Sequence, residues 1–190
     1  THLRNSSIDA FGSFAVLEKF DRWQGDPQPH LSETDTAARN VLVYNLRNLP
    51  DTSSIRATVR PSGTEPKIKM YFEVVGNPCD IQALPDEKNK LKDIRLALEK
   101  DFMQYCYKLL GVAFPDRGFL LFWQLPLDAK LKYFEIEDEI VNLKNVADKN
   151  VRREKLENLL SFLGANPVEK IDKAFAAKYQ AGVVDYLDLV

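Results

Sequence analysis

The sequence is poor in the residues that build metal centres and crosslinks: 190 residues hold only 2 cysteines and 2 histidines. Cys79 and Cys106 lack metal-ligand spacing, and two thiols make no disulfide framework. The expectation is a reduced, cytoplasmic setting, with Cys79 in a loop and Cys106 buried in a helix. His2 and His30 lie far apart in the chain, which gives no basis for a metal site or a catalytic triad. Long apolar runs are also missing. The longest, Phe119 to Trp123, falls far short of the roughly 20 residues that span a bilayer. Thr1-His2-Leu3-Arg4-Asn5 leads into no signal-peptide core, and the absence of an initial Met reads as a processed or trimmed chain. Nor is there an excess of one charge. A net charge of −2 gives no general attraction to nucleic acid or anionic membrane, so neither is an expected partner and any anion site must be local. No internal repeat or low-complexity segment is visible.

What is present is ordinary for a globular chain, 45% apolar and 28% charged, and long enough for one domain or a domain plus an appendage. The first half reads as sheet. Phe14 to Phe20 is a short apolar run, and Gly25 to Thr36 is a loop carrying Pro27 and Pro29. Asn40 to Leu46 is β-branched and aromatic. Ile55, Ala57 and Val59 alternate with Arg56, Thr58 and Arg60; Ile68, Met70, Phe72 and Val74 alternate with Lys67, Lys69, Tyr71 and Glu73. A helix is expected from Pro85, with Asp86 and Glu87 in its first turn, to a stop at Gly111. Leu91, Ile94, Leu98, Phe102, Tyr105 and Leu109 form its stripe.

The last part is helical. Asp116-Arg117-Gly118 reads as a turn. Three helices follow: one capped by Asp128, one carrying Leu156, Leu159, Leu160 and Leu163 and closed by Gly164, and one capped by Asn166 with Pro167 at its first position. Trp23 and Trp123 are read as packing residues, and the Phe119 to Trp123 run as a buried contact with another domain or chain.

Between the two alternating strands stands Arg60-Pro61-Ser62-Gly63-Thr64-Glu65-Pro66-Lys67. Two prolines stiffen the shoulders of this turn. Gly63 permits positive φ and close approach to the backbone, and successive amides around it suit an anion nest. Ser62 and Thr64 supply hydroxyl donors, and Arg60 suits bidentate binding of phosphate. Alternation puts Lys67 and Lys69 on the same sheet face as Arg60. The loop is no Walker motif, because a strand follows it. These residues fit a phosphate cradle, and equally a tight hairpin with solvated charges. Glu65 is read as bonding turn amides, and Ser62, with no base partner, as a donor.

Arg60 to Phe72 (RPSGTEPKIKMYF) resembles the C-terminal, fourth domain of the α-D-phosphohexomutases, the phosphoglucomutase/phosphomannomutase family. Leu3-Arg4, Gly12, Val16 to Phe20, Asp21 and Gly25 follow that domain's lead-in, and Asn40 to Leu46 its preceding strand. The resemblance covers residues 1 to 110. It implies a carbohydrate-metabolism isomerase that interconverts sugar 1- and 6-phosphates by intramolecular phosphoryl transfer. A phosphoserine of the first domain donates the phosphoryl group, Mg²⁺ sits in the second, and a loop of the third reads the sugar. The fourth domain grips the phosphate that is not reacting. On that resemblance Arg60, Ser62, Gly63 and Thr64 hold substrate phosphate, with Lys67 and Lys69 as flanking cations. Lys69 stands where family members often carry Arg, which keeps the charge but loses the fork. No Ser-His-Asn-Pro loop, Asp-Gly-Asp-x-Asp-Arg loop or Gly-Glu-x-Ser-Gly loop appears.

The expected fold is α+β, a two-layer domain with a four-stranded, mainly antiparallel sheet and helices on one face, followed by a helical extension. Residues 1–111 form the phosphate-binding domain; residues 112–190 pack on it or form an interface. The expected function is substrate-phosphate binding within a phosphoglucomutase or phosphomannomutase. No catalytic or metal residue lies in this chain, which alone is inactive, and the parent's Mg²⁺ is bound outside it. Partners are a phosphorylated sugar, the missing N-terminal domains and a second copy through the helical extension. The alternative is a standalone phosphosugar- or anion-binding module, or a protein-interaction module.

Overall fold

The alternation of Ile55, Ala57 and Val59 with polar neighbours dictates a strand with one buried face, and these three side chains are at most 7% exposed. They lie on the fourth strand of an antiparallel sheet, described here from a computed structural model of residues 2–24, 39–62, 65 and 67–189. The chain forms two compact units, Thr1–Gly111 and Val112–Val190.

In the first unit the strands are β1 (Ala10–Phe11), β2 (Phe14–Asp21), β3 (Leu42–Leu46), β4 (Thr52–Pro61) and β5 (Ile68–Gly76). They run in sequence order across the sheet, each pair antiparallel. The fold is therefore α+β with five strands, one more than the expected four. The extra strand is the two-residue β1, folded back on β2 through a tight turn at Gly12 and Ser13. Gly12 has φ +56°, and a Cβ there would lie 2.2 Å from Asp101 Oδ2, so only glycine fits without displacing that carboxylate. Asp101 in turn accepts hydrogen bonds from the Ser13 amide at 2.9 Å and its hydroxyl at 3.0 Å. The segments expected from Gly25 to Thr36, including His30, lie outside the described residues.

A 26-residue helix, α2 (Leu84–Leu109), follows a short N-terminal helix, α1 (His2–Asn5). Pro85 sits in the first turn of α2, and Gly111 takes φ +72° just past its end. Leu98 and Phe102 of α2 are fully buried with Phe11 and Tyr44. The rings of Phe11 and Phe102 are 4.6 Å apart, and Phe72 of β5 lies 5.4 Å from Phe102. Aromatic contacts of this kind add to the free energy of area burial. The Tyr44 hydroxyl donates to the Leu3 carbonyl at 2.8 Å, which satisfies a buried polar group; burial pushes its pKa above the usual phenol range. Cys106 is partly buried, and burial raises its thiol to about 11, which leaves little thiolate for reaction.

The second unit is helical: α3 (Leu127–Asn142), α4 (Lys149–Leu160), α5 (Pro167–Tyr179) and the short, unexpected α6 (Val183–Tyr186). Tyr133, Ile140, Leu160, Ile171, Phe175, Val183 and Leu187 form its fully buried centre. The expected caps differ. Pro126 and not Asp128 precedes α3, and the Asp128 carboxylate instead accepts from the Ala129 amide. Asn166 adopts a left-handed conformation with φ 50° and makes no side-chain cap, so Pro167 alone starts α5. The side-chain cap is Asp148, which accepts from the Asn150 and Val151 amides at the start of α4. Trp23 and Trp123, expected to pack, are 47% and 75% exposed; in the Phe119 to Trp123 run Leu121 is buried, whereas Leu120 and Phe122 are exposed. No helix among the described residues is long and apolar enough to cross a membrane.

Arg117, read from sequence as part of a turn, anchors a buried ionic knot. Glu137 is 3% exposed. It accepts from Arg117 at 2.6 and 2.9 Å, from Lys178 at 2.8 Å and from the Tyr133 hydroxyl at 2.9 Å. Arg117 also donates to the Ala174 carbonyl at 3.1 Å, so one guanidinium joins α3 to α5. Burial would raise the Glu137 pKa, but the hydrogen bonds from Arg117, Lys178 and Tyr133 outweigh it and hold the carboxyl down at about 2. A folded-state pKa below the unfolded one stabilises the unit above the unfolded value, and that stabilisation is lost as pH falls toward the folded value. Stability of the helical unit should therefore drop by on the order of 3 kcal/mol as pH is lowered from 4.5 toward 2. Urea unfolding across that range checks it, and Glu137→Gln should remove most of the dependence. An unchanged pH profile in the variant would show that other carboxylates carry it.

Candidate functional site

The sheet has a polar face opposite its core, and register decides what meets there. In the β4–β5 ladder Ile55 faces Val74, Ala57 faces Phe72 and Val59 faces Met70 on the core side. The alternate positions pair Arg56 with Glu73, Thr58 with Tyr71 and Arg60 with Lys69. The Arg56–Glu73 pair is complementary: Nε and Nη2 of the arginine donate to the two carboxylate oxygens at 3.0 and 3.3 Å. The Arg60–Lys69 pair is not. Two cations stand directly opposite each other, an arrangement that destabilises an antiparallel pair.

The turn closes just beyond them. The Ser62 amide donates to the Lys67 carbonyl at 2.8 Å, and the Lys67 amide to the Glu65 carbonyl at 2.7 Å. Glu65, expected to bond turn amides, forms an ion pair with Lys67; both side chains are more than half exposed, so this pair adds little stability. Lys67 is therefore locally neutralised. Lys69 has no ion-pair partner among the described residues. Gly63 and Thr64, the other two expected phosphate ligands, lie outside the described residues.

Two polar atoms at this turn are buried without a hydrogen-bond partner, Arg60 Nε and Ser62 Oγ. Each such atom costs about 1–3 kcal/mol of desolvation that no protein group returns. Arg60 does have one anchor, which the sequence reading placed on this face without a role: Nη2 donates to the Tyr71 hydroxyl at 3.1 Å, and the guanidinium carbon lies 5.5 Å from the centre of the Tyr71 ring. The signal was available in the alternation of 69, 71 and 73 with 56, 58 and 60. Uncompensated positive charge and unsatisfied donors next to a turn can do one thing well, which is to accept an oxyanion.

A groove of about 670 Å³ beside β5 is lined by Thr58, Tyr71, Phe72, Glu73, Arg95 and Glu99 among others, and no residue of the turn lines it. Arg95 and Glu99 are paired with each other at 3.1 Å, so the groove lacks the charge excess found at Arg60. Among the described residues no group of three or more His, Cys, Asp or Glu could hold a metal ion.

Proteins named glucose 1,6-bisphosphate synthase from Homo sapiens and Pongo abelii are each 34% identical to this chain over 99 residues. The match takes in 49% of this chain and 15% of each relative, so the chain spans a small part of their length. No family model matches the chain, and no solved structure matches it. The similarity links part of the chain to a phosphosugar enzyme.

Because the Ser62 hydroxyl is buried and unpaired, removing it should not cost fold stability. Ser62→Ala is expected to unfold within about 1 kcal/mol of the wild type, or later than it. Its affinity for inorganic phosphate should fall about three- to tenfold. Thermal unfolding and calorimetric titration measure the two quantities; a destabilised Ser62→Ala with unchanged phosphate affinity would assign the hydroxyl to the fold.

Proposed function

We propose that the β4–β5 turn holds the phosphate of a phosphorylated sugar, and that the chain is the substrate-phosphate-binding part of an enzyme of the phosphoglucomutase/phosphomannomutase type. The observation that carries this reading is the Arg60–Lys69 opposition, with Arg60 Nε and Ser62 Oγ buried and unpartnered beside it. The partial likeness to glucose 1,6-bisphosphate synthases supports a sugar phosphate over other oxyanions. The turn motif supports the mutase assignment.

The roles follow from the chemistry of each group. Arg60 supplies a planar set of donors to two phosphate oxygens. Ser62 donates its hydroxyl to a third oxygen, and Gly63 and Thr64 are the remaining phosphate ligands that the motif implies. Lys69 adds a point charge across the strand pair, and Lys67 sits further out. A dianionic ester placed there converts the repulsion of two cations into two attractions. In phosphoryl transfer, positioning and charge stabilisation carry most of the rate, and a clamp on the phosphate that is not reacting fixes the substrate for the end that is. Mg²⁺, which the family resemblance puts in another domain, would neutralise charge on the transferring group, and no step of the transfer is assigned to this chain. The remaining domains of such an enzyme would supply the phosphoserine, the metal and the sugar-reading loop.

Titration of the full chain with glucose 1-phosphate should shift the amide resonances of Ser62, Gly63, Thr64 and Lys69 with one common saturation curve. The purified chain should show no conversion of glucose 1-phosphate to the 6-phosphate. An intact fold with no perturbation at these amides would refute the binding site, and measurable conversion would refute the division of labour.

A further inference from the structure

On the polar face of the sheet Arg60 has a choice of neighbours. Lys69 is directly opposite, and Tyr71, which faces Thr58, is the diagonal neighbour one pair further from the turn. Diagonal positions are within reach of long and aromatic side chains. Arg60 takes the diagonal: Nη2 bonds the phenol oxygen at 3.1 Å, and the guanidinium carbon is 5.5 Å from the ring centre. Thr58, small and opposite Tyr71, leaves room for this. The rest of the fork is left free, because Nε makes no hydrogen bond although it is buried. An arginine has five N–H donors in a rigid plane; fixing one corner of that plane fixes the direction of the others.

We infer that Tyr71 is a positioning residue for the anion site: it holds the Arg60 guanidinium by one corner and one face, which fixes the direction in which its remaining N–H donors meet a phosphate oxygen seated at the turn. This rests on the phosphate reading above. It adds a residue outside the turn that sets the affinity of the turn, through a hydrogen bond and a cation–π contact made before any ligand arrives. Both act by pre-paying the ordering of a long side chain. The phenol oxygen accepts from one corner of the arginine, so it leaves the remaining donors to the anion.

The test is a double-mutant cycle on the full chain, with inorganic phosphate and glucose 1-phosphate as probes. Tyr71→Phe keeps the ring and removes the hydroxyl; Arg60→Lys removes the planar fork. Tyr71→Phe should weaken both probes about three- to tenfold in the wild-type background. In the Arg60→Lys background it should weaken them by less than twofold, because there is no guanidinium left to orient. The Arg60 Nε–H resonance, followed by NMR without ligand, should show increased side-chain motion in Tyr71→Phe. Equal loss in both backgrounds would make Tyr71 structural and overturn the inference. So would wild-type affinity in Tyr71→Phe, while leaving the phosphate site standing. Absence of phosphate binding in the wild type would overturn the phosphate reading, and this inference with it.

Discussion

The antiparallel register between β4 and β5 is the constraint on which the first unit depends. A side-chain period of two means that one choice of partner sets both faces at once. Pairing Ile55 with Val74, Ala57 with Phe72 and Val59 with Met70 brings those side chains against Phe102 and Leu98 of α2. The same choice brings Arg60 opposite Lys69. Slipping by one residue would turn Arg60 inward and expose the apolar set, at a cost far above the repulsion between two partly exposed cations. The core therefore enforces an electrostatic arrangement that the local residues would avoid.

Four residues away the same ladder shows what a satisfied pair looks like, with Arg56 and Glu73 joined by two hydrogen bonds. The contrast argues that the Arg60 end is unbalanced for a reason local to the turn. Buried donors left open at Arg60 and Ser62 lie on the same side of that balance. Stability is given up at one end of a hairpin that the aromatic core holds firmly, and the proposed binding of an anion would offset that loss. In the helical unit the opposite solution appears: buried Glu137 has its charge answered by Arg117, Lys178 and Tyr133, so that cluster is closed and offers nothing to a ligand.

Much of this was legible in the residues. Strict alternation at 55–60 and 68–74 made both strands and their faces readable, and helical spacing from Leu91 to Leu109 gave the long helix. The position of the turn between the two strands was readable because proline and glycine interrupt the alternation. The two-residue β1 was not, since its existence depends on Gly12 tucking under Asp101, 89 positions away in the chain. Tyr71 appeared as one of several outward side chains; its contact with Arg60 is diagonal across the pair, and pattern reports faces but not rotamers. Arg117 looked like part of a turn because its partners, the Glu137 carboxylate and the Ala174 carbonyl, come from α3 and α5. The caps of α3 and α5 were misplaced because Asp and Asn serve turns as readily as caps.

The central claim is that the Arg60–Lys69 opposition is kept for an anion, and Lys69→Glu tests it most directly. Reversing that charge should create a complementary pair like Arg56–Glu73. Without phosphate the variant should unfold at a higher temperature than the wild type, by about 0.2–1 kcal/mol in stability. With increasing phosphate the wild-type midpoint should rise as a bound ligand requires, whereas that of Lys69→Glu should stay flat. A variant that is less stable without phosphate, or whose midpoint still climbs with phosphate as the wild type's does, would contradict the account.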